Sequence, residues 1–161
     1  MRSFLISLLF CFSISLYALK GSEISDDSQI LELGANWLTD FEVAKERSIK
    51  ENKPIMLYFT GSNWCGYCVV LEKKVFSKKA FIDYSNEELI LMYLDFPRGK
   101  RLSTELEKQN YTLLDKYGST IPDISFINSQ GKLLGNTGYI PTYVKQGAEA
   151  YVEHLKSILE E

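Results

Sequence analysis

The sequence predicts an α/β domain: a central mixed sheet of about four to five strands flanked by helices, with a C-x-x-C pair at a helix N-terminus. Three observations carry this. The runs PIMLYF (54–59) and ELILMYLDF (88–96) are apolar without alternation, as expected of strands buried on both faces in a parallel arrangement. Between them Cys68, Leu71 and Val75 fall at i, i+3 and i+7, a helical stripe that makes the connection a βαβ crossover. Further on, DISFI (123–127), the turn NSQG and a return strand over 132–137 form a hairpin.

Taken in order, residues 1–20 (MRSFLISLLFCFSISLYALK) carry Arg2 ahead of an apolar stretch over about 4–16. This is short of the roughly 20 apolar residues of a membrane span and fits a secretory signal peptide, with an uncleaved anchor as the other reading. Cys11 follows Leu8-Leu9-Phe10, which puts Phe where a lipidation site needs a small residue. Residues 21–36 are expected to be a flexible segment and 37–161 the folded domain. Thr39 and Glu42 fit a capping box, Thr39 as N-cap and Glu42 reaching back, for a helix over 40–52. Pro54 stops that helix. Gly61-Ser62-Asn63 forms a turn before the cysteines, and a helix follows from Cys65. Residues 97–103 read as a loop, and 103–116 as a helix with Leu106, Leu113 and Leu114 on its apolar side and Gly118 as C-cap. A last helix over 147–160 places Ala150, Tyr151, His154, Leu155 and Ile158 near one face.

Composition and charge narrow the function. The formal charge is −3 with acids and bases interspersed and no long basic stripe, so nucleic acid is not an expected partner. The cluster Lys73, Lys74, Lys78 and Lys79 reads as a solvated helix face. A structural zinc site needs four ligands, yet the chain has no second C-x-x-C pair and a single histidine, His154. Covalent haem needs a histidine after the pair, where Val69 stands. A disulfide closing so small a loop does little to staple a fold. What remains is chemistry. Cys65 at a helix start meets unpaired backbone N–H groups and the helix dipole, which stabilise a thiolate. Cys68, one turn further, is positioned to resolve a mixed disulfide formed by Cys65.

PIMLYFTGSNWCGYC, the helix after it, and STIPDISFINSQGKLLGNTGYI together resemble the thioredoxin fold, over about 37–161. FTGSNWCGYC and the Leu71-Glu72 that follows are most similar to exported thioredoxin-like reductases, a group that includes the terminal domain of the transmembrane reductase DsbD and the small chlamydial oxidoreductase DsbH. The resemblance implies Cys65 as nucleophile, Cys68 as resolving thiol and a redox disulfide between them. It implies that Trp64, Gly66, Tyr67 and Pro122 contact substrate, Pro122 as the cis-proline facing the cysteines. Two departures stand out. Tyr67 replaces the proline common in cytosolic thioredoxins. Tyr58 takes the place of the acid usually buried on the preceding strand, and with a pKa near 10 it is a poor base. Glu72, four residues after Cys68, is a candidate to move the proton instead; half-burial would raise its pKa.

The expectation is therefore a periplasmic, signal-exported disulfide reductase, monomeric and without metal, nucleotide or flavin cofactor. Disulfide-bonded exported proteins would be its substrates, and a membrane electron donor of the DsbD type would re-reduce it. A thiol oxidase would run the same chemistry backwards, and a binding module of this fold would carry incidental thiols. The motif lacks the histidine that favours an oxidase, and the chain has no room for an added dimerisation module.

Overall fold

The computed structural model describes residues 33–160. The expected signal peptide, and residues 21–32 of the expected flexible segment, lie outside the described residues. Five strands form one sheet: β1 Trp37–Leu38, β2 Ile55–Thr60, β3 Ile90–Asp95, β4 Asp123–Ile127 and β5 Leu133–Gly138. Their order is β1-β3-β2-β4-β5. β1, β3 and β2 run parallel, β4 is antiparallel to β2, and β5 is antiparallel to β4. The strand beyond the four expected is β1, whose two residues are too few to show a period.

Every residue of β2 is buried, because helices cover both faces of the sheet. Ile55, Leu57 and Phe59 pack with Ile90, Met92, Leu113 and Ile127 on one side. Met56 and Tyr58 pack with Cys68, Leu71, Phe76, Tyr93, Phe126 and Tyr151 on the other. Helices α1 Phe41–Glu51 and α4 Thr104–Tyr117 cover the first face. Helix α2 Gly66–Leu71, α3 Lys79–Glu88 and α6 Ala148–Leu159 cover the second, and α5 Pro141–Gln146 precedes α6. The register pairs Tyr58 with Tyr93 and Thr60 with Asp95, so these four side chains share the second face at the strand ends.

Several local expectations are corrected. The N-cap of α1 is Asp40, not Thr39. Asp40 Oδ1 accepts the amides of Glu42 and Val43 at 2.8 and 3.3 Å, and Glu42 turns outward to Lys45 at 2.6 Å. A carboxylate outcompetes a hydroxyl there because it also meets the positive end of the helix dipole. The single helix expected after Cys65 is two. α2 runs into a π-helical turn, Glu72–Phe76, and ends at Ser77; α3 starts anew from Lys78. All four lysines of the cluster are exposed, but they sit across this break and not on one helix face. Gly118 does end α4, yet its φ of −104° is open to any residue. The position is crowded, since a Cβ would stand 2.6 Å from Leu114 Cδ1 and 3.2 Å from the Phe59 ring, and both side chains would have to give way. The face α6 buries is Ala148, Tyr151, Val152 and Leu155, leaving Ala150, His154 and Ile158 only partly covered. Among the described residues no helix is long and apolar enough to cross a membrane.

Candidate active site

The joint between β2 and α2 builds the site. After Thr60 the chain turns on Gly61, whose carbonyl accepts the amides of Trp64 at 3.1 Å and Cys65 at 2.8 Å. Cys65 is the N-cap of α2, in an extended conformation, and its sulfur accepts the Cys68 amide at 3.2 Å. The expected place of Cys65 at a helix start is thus observed, with the sulfur in the position a capping oxygen normally takes. The two cysteines are joined by a disulfide, Cα to Cα 5.3 Å. Cys65 is 6% exposed and Cys68 0%, so Cys65 is the more accessible residue of the pair.

Trp64 is pinned from three sides. Its indole N–H donates to the Phe96 carbonyl at 2.6 Å. The Arg98 guanidinium lies 4.0 Å over its ring. Its ring also fills the space above Gly61, where a Cβ would be 2.3 Å from the indole. The turn is tied to the loop after β3 by further bonds. Asp95 accepts the Ser62 amide and hydroxyl at 2.8 and 2.6 Å. Asn63 exchanges two hydrogen bonds with the Arg98 backbone, at 2.7 and 3.0 Å. Asn110 from α4 holds the Asp95 carbonyl at 2.9 Å.

The other predicted residues gather at the same end of the sheet. Gly66 is exposed, with open space where a side chain would stand. Tyr67 is 61% exposed, and its ring lies against Tyr139, centroids 4.5 Å apart. The Ile121–Pro122 peptide is cis. Because Phe59 pairs with Asp123, Pro122 falls beside Thr60, where β2 gives way to the cysteine turn.

Glu72 is half-buried at the end of α2 and faces the sheet. Its Oε1 accepts three hydroxyls: Tyr93 at 3.1 Å, Tyr58 at 3.4 Å and Thr60 at 3.4 Å. Tyr58 OH also lies 3.4 Å from the Cys68 carbonyl, a second acceptor that competes with the carboxylate for its one hydrogen. Burial raises the Glu72 pKa above the ordinary carboxylate value, the three hydroxyls oppose that rise, and the nearby Asp95 charge adds to it. Burial, and then the Glu72 charge, drive the Tyr58 and Tyr93 pKa values upward, so both remain hydrogen-bond donors at neutral pH.

The pattern of the sequence does not point to Thr60, Tyr93, Asp95, Arg98 and Tyr139. Tyr93 was legible only as a member of a strand, Thr60 only as the residue after one, and Arg98 only as part of a loop. The signal available was period 2, which places Tyr58 and Thr60 on one face; the partner strand needed the register. Among the described residues no group of three or more His, Cys, Asp or Glu could hold a metal ion. A cleft lined by Pro54, Tyr84, Asn128 and Lys156 opens at the opposite end of the strands, away from the cysteines.

A thioredoxin-like domain family matches residues 41–150. The chain is 30% identical to the disulfide bond reductase DsbH of Chlamydia pneumoniae, over 87% of this chain and 82% of that one. It is 25% identical to the thioredoxin-related protein DsbJ of the same organism, over 65% of this chain but 29% of that one. A solved DsbH oxidoreductase structure superposes with a TM-score of 0.72 at 31% identity, covering 78% of this chain and 85% of the other. A thioredoxin from Thermus thermophilus, at 16% identity and a TM-score of 0.54, shares the fold over 78% of this chain and 85% of its own.

Proposed function

The chain belongs to the thioredoxin-like family of thiol–disulfide oxidoreductases, and we propose that within it the protein works as an exported disulfide reductase. The observation that carries this is the Cys65 sulfur at the N-cap of α2, accepting the Cys68 amide and paired with a fully buried Cys68. In the reduced state that amide and the helix dipole favour a Cys65 thiolate. The kinship with a protein described as a disulfide bond reductase supports the reducing direction.

The Cys65 thiolate attacks one sulfur of a substrate disulfide. A mixed disulfide forms, and the other substrate sulfur leaves as a thiolate. Cys68 then gives up its proton and attacks Cys65 Sγ. The second substrate thiolate departs, the substrate has gained two electrons, and the Cys65–Cys68 disulfide remains. Glu72 takes the Cys68 proton. Its raised pKa brings it closer to the thiol it serves, and the hydroxyls of Tyr58, Thr60 and Tyr93 hold the carboxylate in place. Trp64, Gly66, Tyr67 and the backbone beside Pro122 form the surface against which an extended substrate segment lies. A membrane dithiol donor of the DsbD type restores the reduced pair, and disulfide-bonded exported proteins are the substrates.

The test is insulin reduction by dithiothreitol with wild type and Cys65→Ser, together with the potential of the pair. Catalysis lost in Cys65→Ser, and a potential toward about −270 mV, support the reductase. A potential near about −120 mV makes the protein an oxidase. Equal insulin reduction by both proteins makes it a binding module.

A further inference from the structure

The loop after β3 (96–101, FPRGKR) puts Arg98, Lys100 and Arg101 in the open. It is not a loose charged run. Asn63 grips the Arg98 backbone at 2.7 and 3.0 Å, the Arg98 guanidinium is stacked 4.0 Å over Trp64, and Trp64 is bonded to Phe96 in the same loop. Asp95, the acid at the root of the loop, is engaged by Ser62. Glu105 and Glu107 follow in sequence, on the first turn of α4. A chain of net charge −3 thus fixes Arg98 over the residue that precedes Cys65, with Arg101 exposed on the same loop.

A guanidinium stacked on an indole is held in a set orientation while its N–H edge stays free to meet a carboxylate. Three cations on one loop are too few to track a polyanion, whose binding uses long basic stripes. What arrives at Cys65 is a polypeptide carrying a disulfide. We infer that loop 98–101 is a docking surface for acidic residues flanking the substrate disulfide, with Arg98 and Arg101 as the recognising cations. This rests on the reductase reading.

Two peptides of equal length, each with one disulfide and differing only in carrying Glu or Lys at the flanking positions, provide the test. The quantity read is the ratio of their rates in single-turnover oxidation of the reduced protein. At low salt the acidic peptide is expected to react about tenfold faster, within the span that electrostatic steering gives, and added salt should shrink the ratio. Arg98→Glu with Arg101→Glu should invert the ratio. Arg101→Glu alone, which leaves the Trp64 stack intact, should move it part of the way, and Arg98→Lys should largely keep it. A ratio of one in wild type, or a ratio that the double variant leaves unchanged, overturns the docking surface while the reductase stands. If neither peptide oxidises the wild-type protein, the reductase reading fails and the docking surface with it.

Discussion

Glu72 gathers three hydroxyl donors onto one carboxylate oxygen, and the balance at this atom sets how the residue behaves. Burial favours the protonated acid, and each donor favours the carboxylate. Removing a donor therefore raises the pKa further. In Tyr93→Phe the acid limb of the pH–rate profile for disulfide reduction should move to higher pH, and a profile that stays in place would show that Tyr93 does not tune Glu72. Glu72→Gln should remove that limb and slow turnover by about a hundredfold, the scale of one general base, with the fold kept. For the cysteines the expected outcomes are discrete. Cys65→Ser abolishes turnover, whereas Cys68→Ser accumulates the mixed disulfide at Cys65, visible as an adduct by intact mass under non-reducing conditions. Cys65 and Cys68 were legible as candidates from their spacing, and Glu72 from its place four residues after Cys68 together with the resemblance to thioredoxin-like reductases. The identity of the groups holding Glu72 was not, because Tyr93 stands on a strand that only sheet register brings opposite Tyr58.

At the scale of elements, the β2–α2 joint is closely packed around the Trp64 ring. Gly61 leaves room for the Trp64 ring, and that ring is anchored to Phe96 and covered by Arg98. In Gly61→Ala the new methyl group meets the indole at 2.3 to 2.6 Å, and the ring cannot swing clear without breaking its bond to Phe96. The variant should lose about 1–3 kcal/mol, the usual cost of overpacking, measured by urea unfolding of the oxidised protein, with a shift in Trp64 fluorescence. An unchanged midpoint would mean that the turn relaxes freely. The helix break at Ser77 and Lys78 lies below what periodicity resolves. The apolar stripe continues through Val75, Phe76 and Phe81, so a change of axis leaves the pattern nearly intact. Asp40 displacing Thr39 as a cap is a contest between adjacent residues, decided by which oxygen reaches the free amides.

For the whole molecule, the two buried faces of the sheet set the environment in which Glu72 ionises, and this ties stability to pH. Its native pKa lies above the 4.5 of an unperturbed glutamate. The native state therefore holds the proton more tightly than the unfolded chain does. Stability from this group is fully present below the unfolded pKa and is lost as pH rises through the native one. Compared with Glu72→Gln, the wild type should lose stability as pH climbs through that window and show no further difference above it. Chemical denaturation of both proteins across the range measures this, and a difference constant with pH would contradict it. The distribution of charge acts at the same scale. An acidic chain that lays Arg98 over Trp64, the residue before Cys65, sets positive charge at its reactive end, the basis for the substrate preference inferred above.

By itself the sequence determined the class of the fold, the position of the cysteine pair and the chemistry open to it. These follow from local rules: buried runs of parallel strands, helical spacing after Cys65, and the lack of ligands for metal or haem. The tertiary structure decided how the site is completed. The parallel pairing of β2 with β3 brings Tyr93 and Asp95 level with Tyr58 and Thr60, and the loop after β3 clasps Trp64 through Phe96 and Arg98. These contacts join residues about thirty positions apart, and no period within a single segment encodes a neighbour supplied by another strand.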